Sequence, residues 1–468
     1  MRTYKYIVLI TICLFALTCR SQNEKPITEQ ETELKISAKS IAEILSFFPA
    51  DEPGGTFLAT QNGKHIASAA FGKSNLELDI DMQLNNLFNI ASLTKPFTAV
   101  AIFTLIEKGK ISLNDTVSKF VPNFPKEGGE ITIGHLLSHS SGMEYKNDEQ
   151  QRNNFKRAIK NKNNPDFILE YFTKEKFDAK PGNKFDYNNV AYQLLGYIIE
   201  LVSGKTYEAY LKEVFFTPLR MNNTFLESTS KVIKDRAIGY DSFDGQDYQV
   251  RKIDSDDSYF YSAGGLMSTV EDLSRWYEAL MSYEIISQKN LEKLIRPIQY
   301  NNGTYAANGY GVFTGNLNGH DFVLHDGLGW GYGAIVLYFP KSKLFIAHLR
   351  NCGYCKYDVG LSYGAPIKIA SILLNSAYFN NDYPNTALLK EYAGSYQSPF
   401  SNEVKIIIEQ NNKLYLKSKR LGSLLLMPIN ENTFFIERNN ETITFKKQTK
   451  NEFEMISNKG LPIVFEKI

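Results

Sequence analysis

The stretch that most constrains this chain runs from Phe88 to Lys110, FNIASLTKPFTAVAIFTLIEKGK. Ser92 follows the apolar Ile90 and Ala91, and after it Phe97, Val100, Ala101, Thr104 and Leu105 recur at helical spacing, so a helix with Ser92 in its first turn enters a core. Ser92 stands near its N-terminus. Free backbone N–H groups and the positive end of the helix dipole there favour an oxyanion developing on a group bonded to the serine. Lys95 falls three residues on, on the same face and one turn deeper, within reach of the hydroxyl. A partly desolvated lysine amine holds its proton less firmly and can take one from a serine. Pro96 lies within the first turns, where its missing N–H does least harm.

Ser-x-x-Lys alone is weak evidence, because serine is also a favoured helix N-cap. A second copy, Ser228 to Lys231, leads into the polar VIKDRAIGY with no apolar helix behind it. Other motifs must decide. At 468 residues, 43% hydrophobic and 13% aromatic, the chain has material for a large core and more than one domain. Its 52 basic and 51 acidic residues cancel, so no nucleic-acid surface is expected.

Residues 1–19 carry Arg2 and Lys5, then an apolar run from Tyr6 to Thr18 too short to span a bilayer comfortably, and read as an export signal. Ala16-Leu17-Thr18-Cys19 is similar to a bacterial lipobox, which would lipidate Cys19 and anchor the protein to a membrane; ordinary cleavage with a soluble product is the alternative. Residues 20–33 form a polar tether. The expected location is therefore the periplasm or cell envelope. Outside the signal only Cys352 and Cys355 remain, spaced to close a small disulfide loop in an exported protein.

Glu31 to Phe48 has helical periodicity, and TFLATQNGKHIASAAFG reads as a hairpin about Asn62-Gly63. A proline-marked loop (120–129) precedes a helix beginning near Thr132. His135 and His139 are spaced i, i+4, but without a glutamate between them or a third ligand they are expected to be packed, hydrogen-bonded histidines rather than a zinc site. Residues 147–165 are polar and read as a surface insertion. Tyr187-Asn188-Asn189 immediately precedes a strongly apolar helix. SAGGLMSTVEDLSRWYEAL reads as a turn at Gly264-Gly265 and a helix capped by Ser268 or Thr269. Asp321 to Arg350 contains three apolar strands, one ending at His325-Asp326-Gly327, and a helix from Ala365 to Tyr378 follows. Beyond Pro384 come successive strand pairs about Asn411-Asn412, Asn439-Asn440 and Lys459-Gly460, a small antiparallel barrel or sandwich that stabilises or shields.

Three pieces stand in order: Ser92-x-x-Lys95, Tyr187-x-Asn189 and His325-x-Gly327, with ITIGHLLSHSSGM and SAGGLMST between them. The set resembles the serine β-lactamase and penicillin-binding-protein-like hydrolases over roughly Leu34 to Tyr378, most of all the class C β-lactamase branch. The resemblance implies an α/β (α+β) fold, an antiparallel sheet flanked by helices with a helical subdomain, and an active site between them. The domains would be residues 34–380 and 386–468, the second similar to the lipocalin-like modules attached to such hydrolases. Carried over by position, Ser92 is the nucleophile of an acyl-enzyme, Lys95 and Tyr187 share the proton work, and Asn189 bonds Lys95 or the substrate. The N–H groups of Ser92 and Leu328 form the oxyanion hole. His325 takes a catalytic position, Asp326 and Gly327 border the substrate, with Asp326 either pairing with His325 or facing solvent, and Trp330 and Tyr332 either line the acyl pocket or pack on the strands.

The departure is His325, where β-lactamases and carboxypeptidases of this superfamily usually carry a lysine whose permanent charge faces the substrate carboxylate. Histidine there is similar to the esterase and peptidase relatives. The expected activity is hydrolysis of an ester or a D-amino-acid or cell-wall peptide. β-Lactamase or D-Ala-D-Ala carboxypeptidase action and non-turnover penicillin binding or sensing are the alternatives. No cofactor or metal is implied, the partner is a small-molecule or peptide substrate, and the sequence fixes no oligomeric state.

Overall fold

The computed structural model describes residues 41–42, 44–46, 48–121, 124–125, 130–144, 177, 179–228, 231–242, 247–250, 260–301, 303, 305, 308–317, 319–329, 331–356, 359–374, 386–397, 404–418, 422–428, 431–436, 441–446, 451–456 and 463–468. The export signal with Cys19, the tether, the 147–165 insertion and Trp330 lie outside these residues. Among the described residues no helix is long and apolar enough to cross a membrane.

In chain order, the elements that frame the site begin with β1 (Gly55–Gln61) and β2 (Lys64–Phe71). Asn62 and Gly63 between them have φ of 51° and 70°, the two left-handed residues that a tight hairpin needs. Then come β3 (Phe88–Asn89), α1 (Thr94–Glu107), α2 (Ile133–Leu137), α3 (Asn189–Ser203), α4 (Tyr261–Gly264), β4 (Leu266–Ser268) and α5 (Val270–Met281). Strands β5 (Phe313–Leu317), β6 (His320–Gly329), β7 (Tyr332–Phe339) and β8 (Leu344–Arg350) follow, and α6 (Val359–Leu373) after them.

Six of the strands form one antiparallel sheet in the order β5-β6-β7-β8-β1-β2. Both faces are covered, which is why YGAIVLYF reads as an unbroken apolar run. On β7, Ala334, Val336 and Tyr338 pack with the helical body, while Ile335, Leu337 and Phe339 pack on the other face with Ile41, Leu45, Ile367 and Ile369. Each such fully buried aliphatic side chain contributes roughly 1.5–3 kcal/mol.

Helix α1 is buried from Thr94 to Leu105, as expected for a helix apolar on every side. Phe97 stacks on Trp276 of α5 with ring centroids 4.1 Å apart. Three side chains stitch α1 to the segment around α4: the Leu266 N–H donates to Thr94 Oγ1 at 3.1 Å, Lys95 Nζ to the Ala263 carbonyl at 2.7 Å, and Thr98 Oγ1 to the Ser262 carbonyl at 2.6 Å.

Two boundaries differ from the sequence reading. Phe88 and Asn89, to which the sequence reading gave no element, form a strand because they pair with Ser268 and Met267 of β4. Ala91–Leu93 form a 3-10 turn, so the α-helix starts just after Ser92. The helix expected over 365–378 begins earlier, at Val359, and contains Pro366, with residues 375–378 outside the described range.

After α7 (Thr386–Tyr392), the strands β9 (Gly394–Gln397), β10 (Val404–Gln410), β11 (Lys413–Ser418), β12 (Gly422–Pro428), β13 (Thr433–Ile436), β14 (Glu441–Phe445), β15 (Glu452–Ile456) and β16 (Ile463–Lys467) close an antiparallel barrel. The sequence showed three strand pairs; β9 and β12 complete the circle, β9 pairing with both β10 and β16. Tyr396, Phe434, Phe445, Phe453 and Phe465 fill the interior, and Tyr392 from α7 stacks on Phe445 at 4.1 Å. The barrel is a packed core rather than a cup. The turns at Asn439-Asn440 and Lys459-Gly460 lie outside the described residues.

Close approach of α3 to α4 depends on Gly196, where an added Cβ would lie 2.1 Å from Ser262 Oγ and 2.4 Å from Ser262 Cβ. Alanine gains about 1 kcal/mol in helix propensity, whereas overpacking costs about 1–3 kcal/mol. Gly196→Ala is therefore expected to lower the unfolding free energy in urea by up to about 2 kcal/mol. Equal or greater stability would mean that α4 yields freely.

Candidate active site

The site begins with a strained turn. Ala91 has φ of 46°, a left-handed conformation costing an alanine on the order of 1–2 kcal/mol. Buried bonds hold it there. The Ala91 N–H donates to Asn89 Oδ1 at 2.8 Å, Asn89 Nδ2 donates to Glu227 Oε2 at 2.5 Å, and Arg236 lies 3.6 Å from Glu227 Oε1. The Ile90 N–H donates to the Leu266 carbonyl at 2.9 Å. The turn presents Ser92, half-buried, at the head of α1.

Lys95 is fully buried, and its Nζ reaches Ser92 Oγ at 3.0 Å and the Ala263 carbonyl at 2.7 Å. Its Nζ also lies 4.8 Å from the centre of the Tyr187 ring and 5.7 Å from that of Tyr192. An amine donating to Ala263 O still has a position that can either donate to Ser92 Oγ or accept its proton. By contrast Lys231, in the second Ser-x-x-Lys, is exposed.

The two tyrosines differ. Tyr192 is fully buried and donates its O–H to the Leu137 carbonyl at 2.7 Å, and burial, then the neighbouring Tyr187, push its phenol well above the usual range. Its proton is committed. Tyr187 is half-buried, just before α3. Asn188 caps that helix, its Oδ1 accepting from the Ala191 N–H at 3.0 Å, and Asn189 is the first helical residue, 9% exposed.

Strand β6 forms the other wall. Alternation turns Val323, His325, Gly327 and Gly329 toward α1, and Leu324, Asp326 and Leu328 to the opposite face. A Cβ at Gly327 would lie 2.2 Å from the Ile90 carbonyl oxygen and 3.2 Å from Ala91 Cβ, so only glycine allows this strand to touch the serine turn. That contact brings together the backbone segments of Ser92 and Leu328. His325 is 1% exposed, its Nδ1 2.6 Å from the Asp326 carbonyl oxygen. The ladder with β5 ends at Leu324, so from Asp326 to Gly329 the only strand neighbour among the described residues is β7.

Ser92, Lys95, Tyr187, His325 and Gly327 thus share one locus. The carboxylate of Asp326 is on the far face of the sheet, half-buried, and the Leu328 side chain is exposed there, so both border the cleft through main chain only. Tyr332 is 2% exposed and donates to the Ala237 carbonyl at 2.7 Å, as core packing rather than a pocket wall. Cys352 and Cys355 are disulfide-bonded. His135 Nδ1 accepts from the Thr132 N–H, closing a capping box.

Two contributors escaped the sequence reading. Ala263 acts through its carbonyl, and only SAGG, read there as a turn, marked it. His139 was read as a packed histidine. It lies past the end of α2, and its ring stacks on Tyr187 at 4.3 Å. No sequence spacing connects residue 139 with 187.

A family model described as Beta-lactamase matches residues 42–359. The chain belongs to the beta-lactamase family. It is similar to Penicillin-binding protein 4* of Bacillus subtilis (strain 168), 29% identical over 405 residues covering 82% of this chain and 87% of that protein. It is also similar to Protein flp of Staphylococcus aureus (strain N315), 30% identical over 308 residues, 64% of this chain and 59% of that protein's length. The octameric penicillin-binding protein homologue from Pyrococcus abyssi superposes with a TM-score of 0.60 at 25% identity, over 94% of this chain and 100% of that one. The D-amino acid amidase from Ochrobactrum anthropi SV3 shares the fold with a TM-score of 0.59 at 22% identity, over 73% of this chain and 99% of that chain.

Within this beta-lactamase fold, burial, then the charges of Lys95 and His325, hold His139 well below the usual imidazole value of 6.5. Above pH 6.5 both folded and unfolded chains carry it neutral; below, the unfolded chain takes up a proton that the native state refuses. His139 therefore makes stability fall as the pH drops from 6.5 toward its folded value, by at most about 1.4 kcal/mol per pH unit. His135, lowered mainly by burial, adds in the same sense. Between pH 7 and 5 the urea midpoint of wild type is expected to fall more steeply than that of His139→Asn, so the gap between them changes with pH. Parallel curves would show that His139 titrates as it does in the unfolded chain.

Proposed function

We propose that this chain is an exported serine hydrolase that forms an acyl-enzyme at Ser92 on an ester or a D-amino-acid peptide of the cell-wall type. One observation carries the reading: the buried Lys95 amine lies 3.0 Å from Ser92 Oγ, anchored by Ala263 O and covered by the Tyr187 ring. The Ser92 proton passes to the Lys95–Tyr187 pair as Oγ bonds to the substrate carbonyl carbon. The carbonyl oxygen takes the electron pair and is held by the N–H groups of Ser92 and Leu328. Collapse breaks the bond to the leaving group, which receives the stored proton. Water, deprotonated by the same pair, then cleaves the ester and frees the acid and Ser92.

Tyr187 suits proton transfer better than Tyr192, whose hydroxyl is committed to Leu137. Similarity to a protein named for penicillin binding favours an acylating serine. Turnover of β-lactams ranks lower. With Nδ1 donating to the Asp326 carbonyl, His325 is cationic only when Nε2 also holds a proton, whereas the lysine usual there is always charged. Asp326 to Gly329 offer main-chain groups along which an extended peptide can align.

Intact mass and peptide mapping after exposure to an activated ester, a penicillin and a D-Ala-D-Ala peptide decide the matter. An adduct on Ser92, absent from Ser92→Ala, is expected, and the reagent whose adduct forms and clears names the substrate class. No labelling of Ser92 by any reagent would remove the catalytic reading, and a penicillin adduct that never clears would favour a sensor. The export signal read at residues 1–19 would put this chemistry in the cell envelope, with Cys19 as a lipid anchor. Cys19→Ser should then move the protein from the membrane to the soluble fraction, and an unchanged distribution would reject the anchor.

A further inference from the structure

His139 makes more contacts with the Tyr187 segment than core packing requires. Its carbonyl accepts the Asp186 N–H at 2.7 Å and its Nδ1 accepts the Asn188 N–H at 3.0 Å, so the residues on either side of Tyr187 are both held by one residue. Its ring lies against Tyr187 at 4.3 Å with 28° between planes, and against Tyr192 at 4.8 Å. Lys95 Nζ lies 4.8 Å from the centre of the same Tyr187 ring.

Three features argue that this arrangement is held against opposing costs. His139 adopts φ of +55°, strained for a residue with a side chain. With Nδ1 accepting, the neutral ring carries its proton on Nε2, and that atom is buried with no hydrogen-bond partner among the described residues. A phenylalanine would stack without leaving such a group unsatisfied, but it could not accept from Asn188. The groups acting on the ring are Lys95 of α1, His325 of β6, and Tyr187 and Tyr192 beside it. Both basic groups oppose a charge on His139.

We infer that His139 is the positioning residue of the acylation step: a neutral imidazole that accepts from Asn188 and fixes the Tyr187 ring over the Lys95 amine. It does not touch substrate. The inference rests on reading Ser92, Lys95 and Tyr187 as the acylation machinery.

The test is the acylation rate constant with p-nitrophenyl acetate, measured on the mature full-length protein. Wild type, His139→Phe (ring without acceptor) and His139→Asn (acceptor without stacking ring) are compared, each also in a Tyr187→Phe background, with Ser92→Ala as control. Each histidine variant is expected to lower the acylation constant about 10- to 100-fold with KM changed by less than about twofold, and to add nothing once Tyr187 is Phe, since both changes strike one unit. Equal losses in both backgrounds, or wild-type rates in both histidine variants, overturn the proposal. An adduct that survives Ser92→Ala sinks the underlying reading and the proposal with it. An adduct lost in Ser92→Ala beside unchanged histidine-variant rates sinks the proposal alone. Should neither variant fold, long-range ¹H–¹⁵N spectra of the unmutated protein at pH 7 decide: an Nε2–H tautomer for His139 supports the assignment, and an Nδ1–H tautomer or an imidazolium overturns it.

Discussion

A lysine amine with no solvent contact is the constraint on which the surrounding structure depends. Such a group is tolerated in a core only where its N–H groups find acceptors. Here the acceptors are Ser92 Oγ and the Ala263 carbonyl, with the Tyr187 and Tyr192 rings alongside. The helix that carries Lys95 is therefore fixed to the segment that supplies Ala263, by Thr94 above and Thr98 below. The approach of α3 to that segment requires Gly196. The strained Ala91 is held by Asn89 and Glu227, and the sheet reaches the turn only because residue 327 has no side chain.

Much of this was legible in the sequence wherever one periodicity or one local turn governs. The apolar helix behind Ser92, the Asn62-Gly63 hairpin and the strands between Asp321 and Arg350 depend on near neighbours, and the structure contains them. The strand at Phe88 and Asn89 had no local signal because its partner lies some 180 residues away in sequence, at Met267 and Ser268. The start of α6 was read late because Gly360, Ser362 and Gly364 dilute its apolar spacing before Ala365. Within the site, residue types with chemistry of their own were visible. Ala263 was not, since it works through a main-chain carbonyl, and the tie from His139 to Tyr187 exists only in three dimensions.

The barrel follows a different logic from the fold before it. Its aromatic interior leaves the inward positions occupied by side chains of the barrel itself, with α7 adding Tyr392. The likeness to lipocalins is one of strand order and closure, and a shared topology does not carry a shared use. Its outward face includes Val404 and Ile406, both more than two-fifths exposed on β10.

The stretch from Asp326 to Gly329, whose only strand neighbour among the described residues is β7, bears on how such a site can diverge. A wall of peptide groups offers the same donors and acceptors whatever side chains flank it, and here the flanking side chains at 326 and 328 point away across the sheet. Substitution at those two places can thus drift with little cost to the cleft, while position 327 is locked by its contact with Ile90. On the proposed reading, new preferences for one substrate over another would arise on the facing helical side, near the half-buried Tyr187, rather than along this strand.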